Sequence, residues 1–129
     1  MVTPDMSVRT AQSALRSEIF VLVDDYDLVC SGGGNPLSPL IPFLPYGRDI
    51  GFHLVVARRT GGAARAQYES LLQTLGDLGT PALLFSGPPA EGKLTHGLAP
   101  QQLPVGRAQY ARRSGATRLV QTAWVPATG

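Results

Sequence analysis

The sequence predicts an α/β domain, with a mainly parallel sheet flanked by helices and a β-hairpin at its C-terminal end. Three observations point there. Short, mainly apolar runs recur at 19–23, 51–57 and 81–85, the first of them unbroken and rich in β-branched and aromatic residues, and such runs read as strands covered on both faces. Helical patterns separate these runs over the first two thirds of the chain, as in parallel βαβ units. Two edge-type runs, 106–112 and 118–125, meet near Ser114-Gly115 and read as a hairpin that extends one side of the sheet.

Taken in order, residues 7–16 come after the Pro4-Asp5 turn and predict a short helix capped by Ser7. The first strand, Ile19-Phe-Val-Leu-Val23, ends abruptly in Asp24-Asp25-Tyr-Asp27. Ser31-Gly-Gly-Gly-Asn35 is a flexible connection. From Pro36 to Tyr46, apolar residues at helical spacing are interrupted by Pro39, Pro42 and Pro45, so any helix there is short or kinked. The second strand, Gly51 to Ala57, leads into the turn Arg58-Arg-Thr-Gly-Gly62. The clearest helix covers 63–76, with Ala64, Tyr68, Leu71, Leu72 and Leu75 on its apolar face and Gly76 or Gly79 ending it. After the third strand, residues 86–105 are rich in Gly and Pro and read as a loop.

Composition narrows the classes of function. A chain of 129 residues suits one domain or part of a larger one, and no segment approaches the ~20 apolar residues of a membrane-spanning helix. The formal charge is only +2 and the eleven Lys and Arg residues are scattered, apart from Arg58-Arg59 and Arg112-Arg113, so no nucleic-acid partner is expected. Cys30 is the only cysteine, which excludes an internal disulfide and a cysteine-based zinc cage. The N-terminus shows no signal segment, and a reducing cytoplasmic setting fits. His53 and His96 lack metal-ligand spacing.

The acids after the first strand are the main chemical signal, because the ligand crevice of an α/β sheet lies at the carboxyl ends of its strands. The run has the form of a Walker B motif: Asp24 could hold Mg²⁺ and Asp25 could orient the water attacking a γ-phosphate. The alternative is that the acids only cap the strand and start a turn. Reading Asp25-Tyr-Asp27 as a phosphatase Asp-x-Asp needs later paired acids and a suitably placed lysine, whereas the single lysine, Lys93, lies in the loop. Gly87-Pro-Pro-Ala-Glu-Gly-Lys93 nominally has phosphate-loop spacing. However, Pro88 and Pro89 offer no N–H to a phosphate, and Leu94 stands where a magnesium-binding hydroxyl is needed. Arg48, Arg58 and Arg59 flank the second strand and are candidate phosphate-binding groups.

Together, Ile19-Phe-Val-Leu-Val-Asp-Asp-Tyr-Asp-Leu28, Asn35-Pro-Leu-Ser-Pro-Leu40, Gly47 to Arg65 and Leu119-Val-Gln-Thr-Ala-Trp-Val-Pro126 resemble the C-terminal ATPase domain of the EccC family, the FtsK/SpoIIIE-type motors of type VII (ESX) secretion. The resemblance implies a partial RecA-like P-loop NTPase fold, with 1–17 as a lead-in segment and 18–129 as the portion of the domain from Walker B onward. It implies ATP and Mg²⁺ as cofactors of the parent domain, and hexameric assembly with other EccC ATPase domains and membrane secretion components. It further implies export of WXG100-type proteins from a cytoplasmic position at the inner membrane. Asp24 falls on the family's magnesium position, Asp25 on that of the catalytic acid, Arg48 on that of an arginine finger and Arg59 on that of a polar sensor. Asp25 stands where the family usually has Glu, Arg59 replaces a neutral sensor, and the family's P-loop, which precedes Walker B, is not among these residues. Little or no hydrolysis is therefore expected of this chain alone. A second expectation is a docking module for secreted substrates, with the helix 63–76 and the loop 86–105 as candidate surfaces.

Overall fold

A computed structural model describes residues 17–128, so the helix predicted over 7–16 lies outside the described residues. Strand β1 (Ile19–Val23) pairs in parallel with β2 (Phe52–Val56), from Ile19 beside Phe52 to Val23 beside Val56. Between them run the single turn α1 (Tyr26–Val29), a 3₁₀ helix (Ser38–Tyr46) and the turn α2 (Gly47–Ile50). Strand β3 (Ala82–Phe85) pairs antiparallel with β4 (Arg107–Ala111), and β4 with β5 (Arg118–Gln121). The α/β class and the C-terminal hairpin are therefore present. The hairpin attaches to β3, and the described strands form a two-stranded and a three-stranded sheet.

The proline-rich segment is a 3₁₀ helix because its prolines recur every third residue. A 3₁₀ helix turns once in three residues, so Pro39, Pro42 and Pro45 share one face, and proline's fixed φ suits the tight turn. Gly51, at φ 71°, ends α2 in a left-handed cap and turns the chain into β2. Gly47 lies so close to β2 that a Cβ there would sit 2.6 Å from the carbonyl oxygen of Phe52.

The predicted helix over 63–76 divides into α3 (Ala63–Ala66) and α4 (Ser70–Asp77). Glu69 adopts an extended backbone (φ −72°, ψ 144°) ahead of α4, and its side chain is held by Tyr26 and Asn35. This tertiary contact overrides the helical periodicity. Leu71 is completely buried, as its place on the apolar face predicts, whereas Tyr68 falls in the break and is 75% exposed. The core gathers Tyr26, Leu71, Leu84, Ala108 and Ala111, with Pro100 fully enclosed from the loop. Buried Gln109 meets its hydrogen-bonding need by donating to the Ala99 carbonyl at 3.0 Å.

The first apolar strand is not covered as the sequence predicts. Ile19 and Phe20 are exposed and Leu22 is 74% exposed. On β2 and β3, Val55, Leu83 and Phe85 are also exposed. Among the described residues no helix is long and apolar enough to cross a membrane.

Candidate functional site

Parallel in-register pairing brings the carboxyl ends of β1 and β2 side by side, and backbone hydrogen bonds fasten the segments beyond them. Ala57 N–H donates to the Val23 carbonyl at 2.8 Å, and Tyr26 N–H donates to the Ala57 carbonyl at 2.9 Å. Asp24 accepts a hydrogen bond from the Asp25 N–H at 2.9 Å. Asp25 then takes a left-handed conformation (φ 49°, ψ 47°), which Asp adopts more readily than most side chains. Its carbonyl starts α1 by accepting from Leu28 and Val29. The two acids thus do initiate a turn, and both are exposed at the carboxyl end of β1.

Arg58 and Arg59 arrive at the same end from β2 but are already engaged. Arg58 folds back, donating to the carbonyls of Arg59 and Gly61 at 2.9 Å each. Arg59 pairs with Asp27, with its Nη2 2.9 Å from Oδ2. The guanidinium, as the main cause, holds the Asp27 carboxyl below the usual carboxylate range. Asp27 Oδ1 is buried with no hydrogen-bond partner among the described residues. From sequence, Asp27 reads only as a turn or phosphatase residue, and nothing in its spacing to Arg59 announces the pair. A depressed carboxyl pKa stabilises the fold above the unfolded value of about 3.9, and that contribution disappears as pH falls through the folded value. Asp27→Asn is therefore expected to flatten the acid limb of a stability curve measured by urea unfolding between pH 5 and 2. An unchanged limb would show that the pair is not formed in solution.

An open cavity of about 620 Å³ lies where β2 and β3 end, lined by Arg58, Arg59, Thr60, Gly61, Phe85 and Ser86. Two guanidinium groups and two hydroxyls give it an anion-binding character. Glu91, from the loop, accepts from the Gly62 N–H at 3.3 Å near this rim. In the same loop, Pro89–Glu91 form a 3₁₀ turn and Gly92 has φ 82°. Thr95 and Leu98 then bridge where a phosphate loop would need a helix, so Gly87–Lys93 is a surface loop.

Arg48 lies elsewhere. It sits on α2, which ends at Gly51, and the Gly51 carbonyl accepts from Ile19 N–H at the amino end of β1. About 13 Å of strand rise separates that end from the acids, so this chain does not bring Arg48 to Asp24. His53 lies near the same amino end of the sheet, 2.9 Å from Glu18 and stacked on Phe20. Among the described residues no group of three His, Cys, Asp or Glu is placed to hold a metal ion.

After the acids comes a half-buried polar cluster around Tyr26 that no sequence pattern marks. Tyr26 is 2% exposed. Its hydroxyl donates to Glu69, while Asn35 Nδ2 donates to the Tyr26 oxygen at 2.8 Å and to Glu69 Oε1 at 2.6 Å. Asn35 Oδ1 accepts from Leu37 N–H at 2.9 Å. Burial first, and then the bond to Glu69, push the Tyr26 hydroxyl well above the usual tyrosine range.

The α/β fold is that of a type VII secretion ATPase domain, as the solved structures show. The chain matches the cytoplasmic domain of the type VII secretion ATPase EccC of Thermomonospora curvata with a TM-score of 0.78 and 40% identity, over 98% of this chain and 14% of that one. It matches ATPases 2 and 3 of that EccC, solved with a signal sequence peptide, with a TM-score of 0.78 and 41% identity, over 98% of this chain and 22% of that one. In sequence it is 51% identical to the ESX-4 secretion system protein EccC4 of Mycobacterium tuberculosis, over 98% of this chain and 10% of that protein. The chain is a homologue of EccC, from ESX secretion systems, and spans about a tenth of that relative's length. No protein-family model matches it.

Proposed function

We propose that this chain forms one wall of the nucleotide site of an EccC ATPase domain, and that it is inactive until a phosphate-binding loop is supplied. The observation that carries this reading is the convergence of Asp24 and Asp25, after β1, with Arg58 and Arg59, after β2, at one end of a parallel pair. Mg²⁺ fits such a donor set, because it keeps several waters and is commonly held by one or two carboxylates plus substrate phosphates. Bound there, it would neutralise phosphate charge. Asp24 would be its protein ligand and Asp25 would hold a proton acceptor near water, with a reach one methylene shorter than Glu. Arg58 and Arg59 would meet phosphate oxygens, Arg59 after leaving Asp27. Arg48, at the opposite strand end, would serve a neighbouring subunit of a hexamer. The apolar exposure of β1, β2 and β3 supports the reading that these strands pack against further partners in the assembled domain.

In the assembled motor, ATP use would drive export of WXG100-type proteins at the inner membrane. A second reading, docking of secreted substrates without catalysis, is favoured by one fact: the similar EccC ATPases were solved with a signal sequence peptide.

Calorimetry with Mg²⁺ and a non-hydrolysable ATP analogue separates the two. No saturable binding is expected of this chain by itself. Mixed with a polypeptide carrying the phosphate loop of an EccC ATPase domain, it should bind the nucleotide, and Asp24→Ala should weaken that binding at least tenfold. Micromolar binding by the chain alone, lost in Asp24→Ala, would sink the claim that the site is incomplete. Binding of a signal peptide with no nucleotide binding in the mixture would favour docking.

A further inference from the structure

We infer that Tyr26, Asn35 and Glu69 are positioning residues that hold the Asp24-Asp25 turn against the start of α4. This rests on the nucleotide-site reading for its purpose, but on independent geometry for its existence. Neither acid is strongly restrained by its own side chain: Asp24 bonds its neighbour's N–H, and both are exposed. Asp25 also occupies a left-handed conformation, which persists only where the surroundings over-determine it.

The next residue supplies that restraint. Tyr26 is bound at both ends, through its N–H to Ala57 and through its hydroxyl to Glu69. Asn35 closes the triangle and pins the glycine-rich connection, flexible by its sequence, behind the turn. Glu69 leaves helical geometry to take part and makes no side-chain cap for α4. The three side chains satisfy one another, and none of them lines the cavity at the ends of β2 and β3. They act through the backbone of the turn, as a supporting shell that keeps site carboxylates within a fraction of an ångström of a working position.

Glu69→Gln places an amide donor against either the Asn35 donor or the Tyr26 hydroxyl, and Asn35→Asp places a carboxylate against the Glu69 carboxylate and the Tyr26 oxygen. Leu71→Ala loosens the core without removing any of the three polar side chains. Amide hydrogen exchange on the whole chain separates the two effects. Glu69→Gln and Asn35→Asp should each speed exchange at Tyr26, Leu28 and Val29 at least tenfold relative to Ala108 and Tyr110 in β4, whereas Leu71→Ala should speed both groups alike. Equal acceleration in the turn and in β4 by Glu69→Gln or Asn35→Asp would overturn the inference.

Paramagnetic broadening by Mn²⁺ provides a readout that loss of stability alone would not move. Added Mn²⁺ should broaden the amide signals of 24–27 in the parent chain, and less in Glu69→Gln and in Asn35→Asp. If Mn²⁺ leaves the parent signals unchanged, the metal role of Asp24 falls, while the exchange ratios still decide the positioning role.

Discussion

Leu71→Ala is expected to lower the unfolding free energy by about 2–5 kcal/mol, the range for a buried leucine whose cavity cannot collapse. Leu71 is fully buried, on the helix that packs against the 3₁₀ helix Ser38–Tyr46. The wall it meets is stiff, because the prolines inside that 3₁₀ helix fix their own φ and resist moving inward. Domains are stable by only about 5–15 kcal/mol, so the variant should be partly unfolded at moderate temperature. Urea unfolding followed by circular dichroism measures it, with Leu71→Met as the control expected to lose less than about 1.5 kcal/mol. A loss below about 1 kcal/mol would show that α4 does not enclose this side chain in solution.

Much of the fold is legible in the sequence because it is locally coded. The boundaries of β1 agree with the apolar run: the strand stops at Asp24, and β2 and β3 start after Gly51 and Pro81. The proline spacing of three is visible in the sequence, and it accounts for a 3₁₀ helix better than for a kinked α-helix. The illegible features depend on partners distant in sequence. The break ahead of α4 is made by Glu69 reaching residues more than thirty positions away, and no helical pattern encodes that. The Asp27–Arg59 pair is likewise a product of parallel pairing, which sets the residues after β1 beside those after β2. The exposure of β1 arises differently. Five consecutive apolar residues correctly indicate a strand but not its burial, since among the described residues nothing covers Ile19, Phe20 and Leu22.

The site is legible in its residue types and less so in its support. Asp24 and Asp25 stand out by their place after a buried-type strand, and Arg58 and Arg59 by theirs after the next. The structure separates Arg48 from this group by the length of the strand, a distinction that spacing in sequence cannot make. Tyr26 goes unmarked because an aromatic after an acidic pair has no pattern of its own. Its importance comes from being almost fully buried among polar partners.

That burial makes Tyr26→Phe the second change with a large expected effect, and one with a distinctive pH dependence. The substitution keeps the ring and removes the hydroxyl, leaving Glu69 Oε2 without its donor and one Asn35 N–H without its acceptor; a loss of about 1–3 kcal/mol is expected near neutrality. The folded state raises the hydroxyl pKa, first through burial and then through Glu69. It therefore holds the proton more tightly than the unfolded chain, whose tyrosines titrate near 10. The stabilisation is fully present below about pH 10 and declines above it, because the unfolded chain releases a proton that the folded chain keeps. Stability of the parent chain should thus fall more steeply than that of Tyr26→Phe above pH 10, and the two curves should converge. Urea unfolding of both proteins at intervals from pH 7 to 11 tests this. Curves that stay parallel to pH 11 would mean that the Tyr26 hydroxyl titrates alike in the folded and unfolded chain, and that the bond to Glu69 does not hold it.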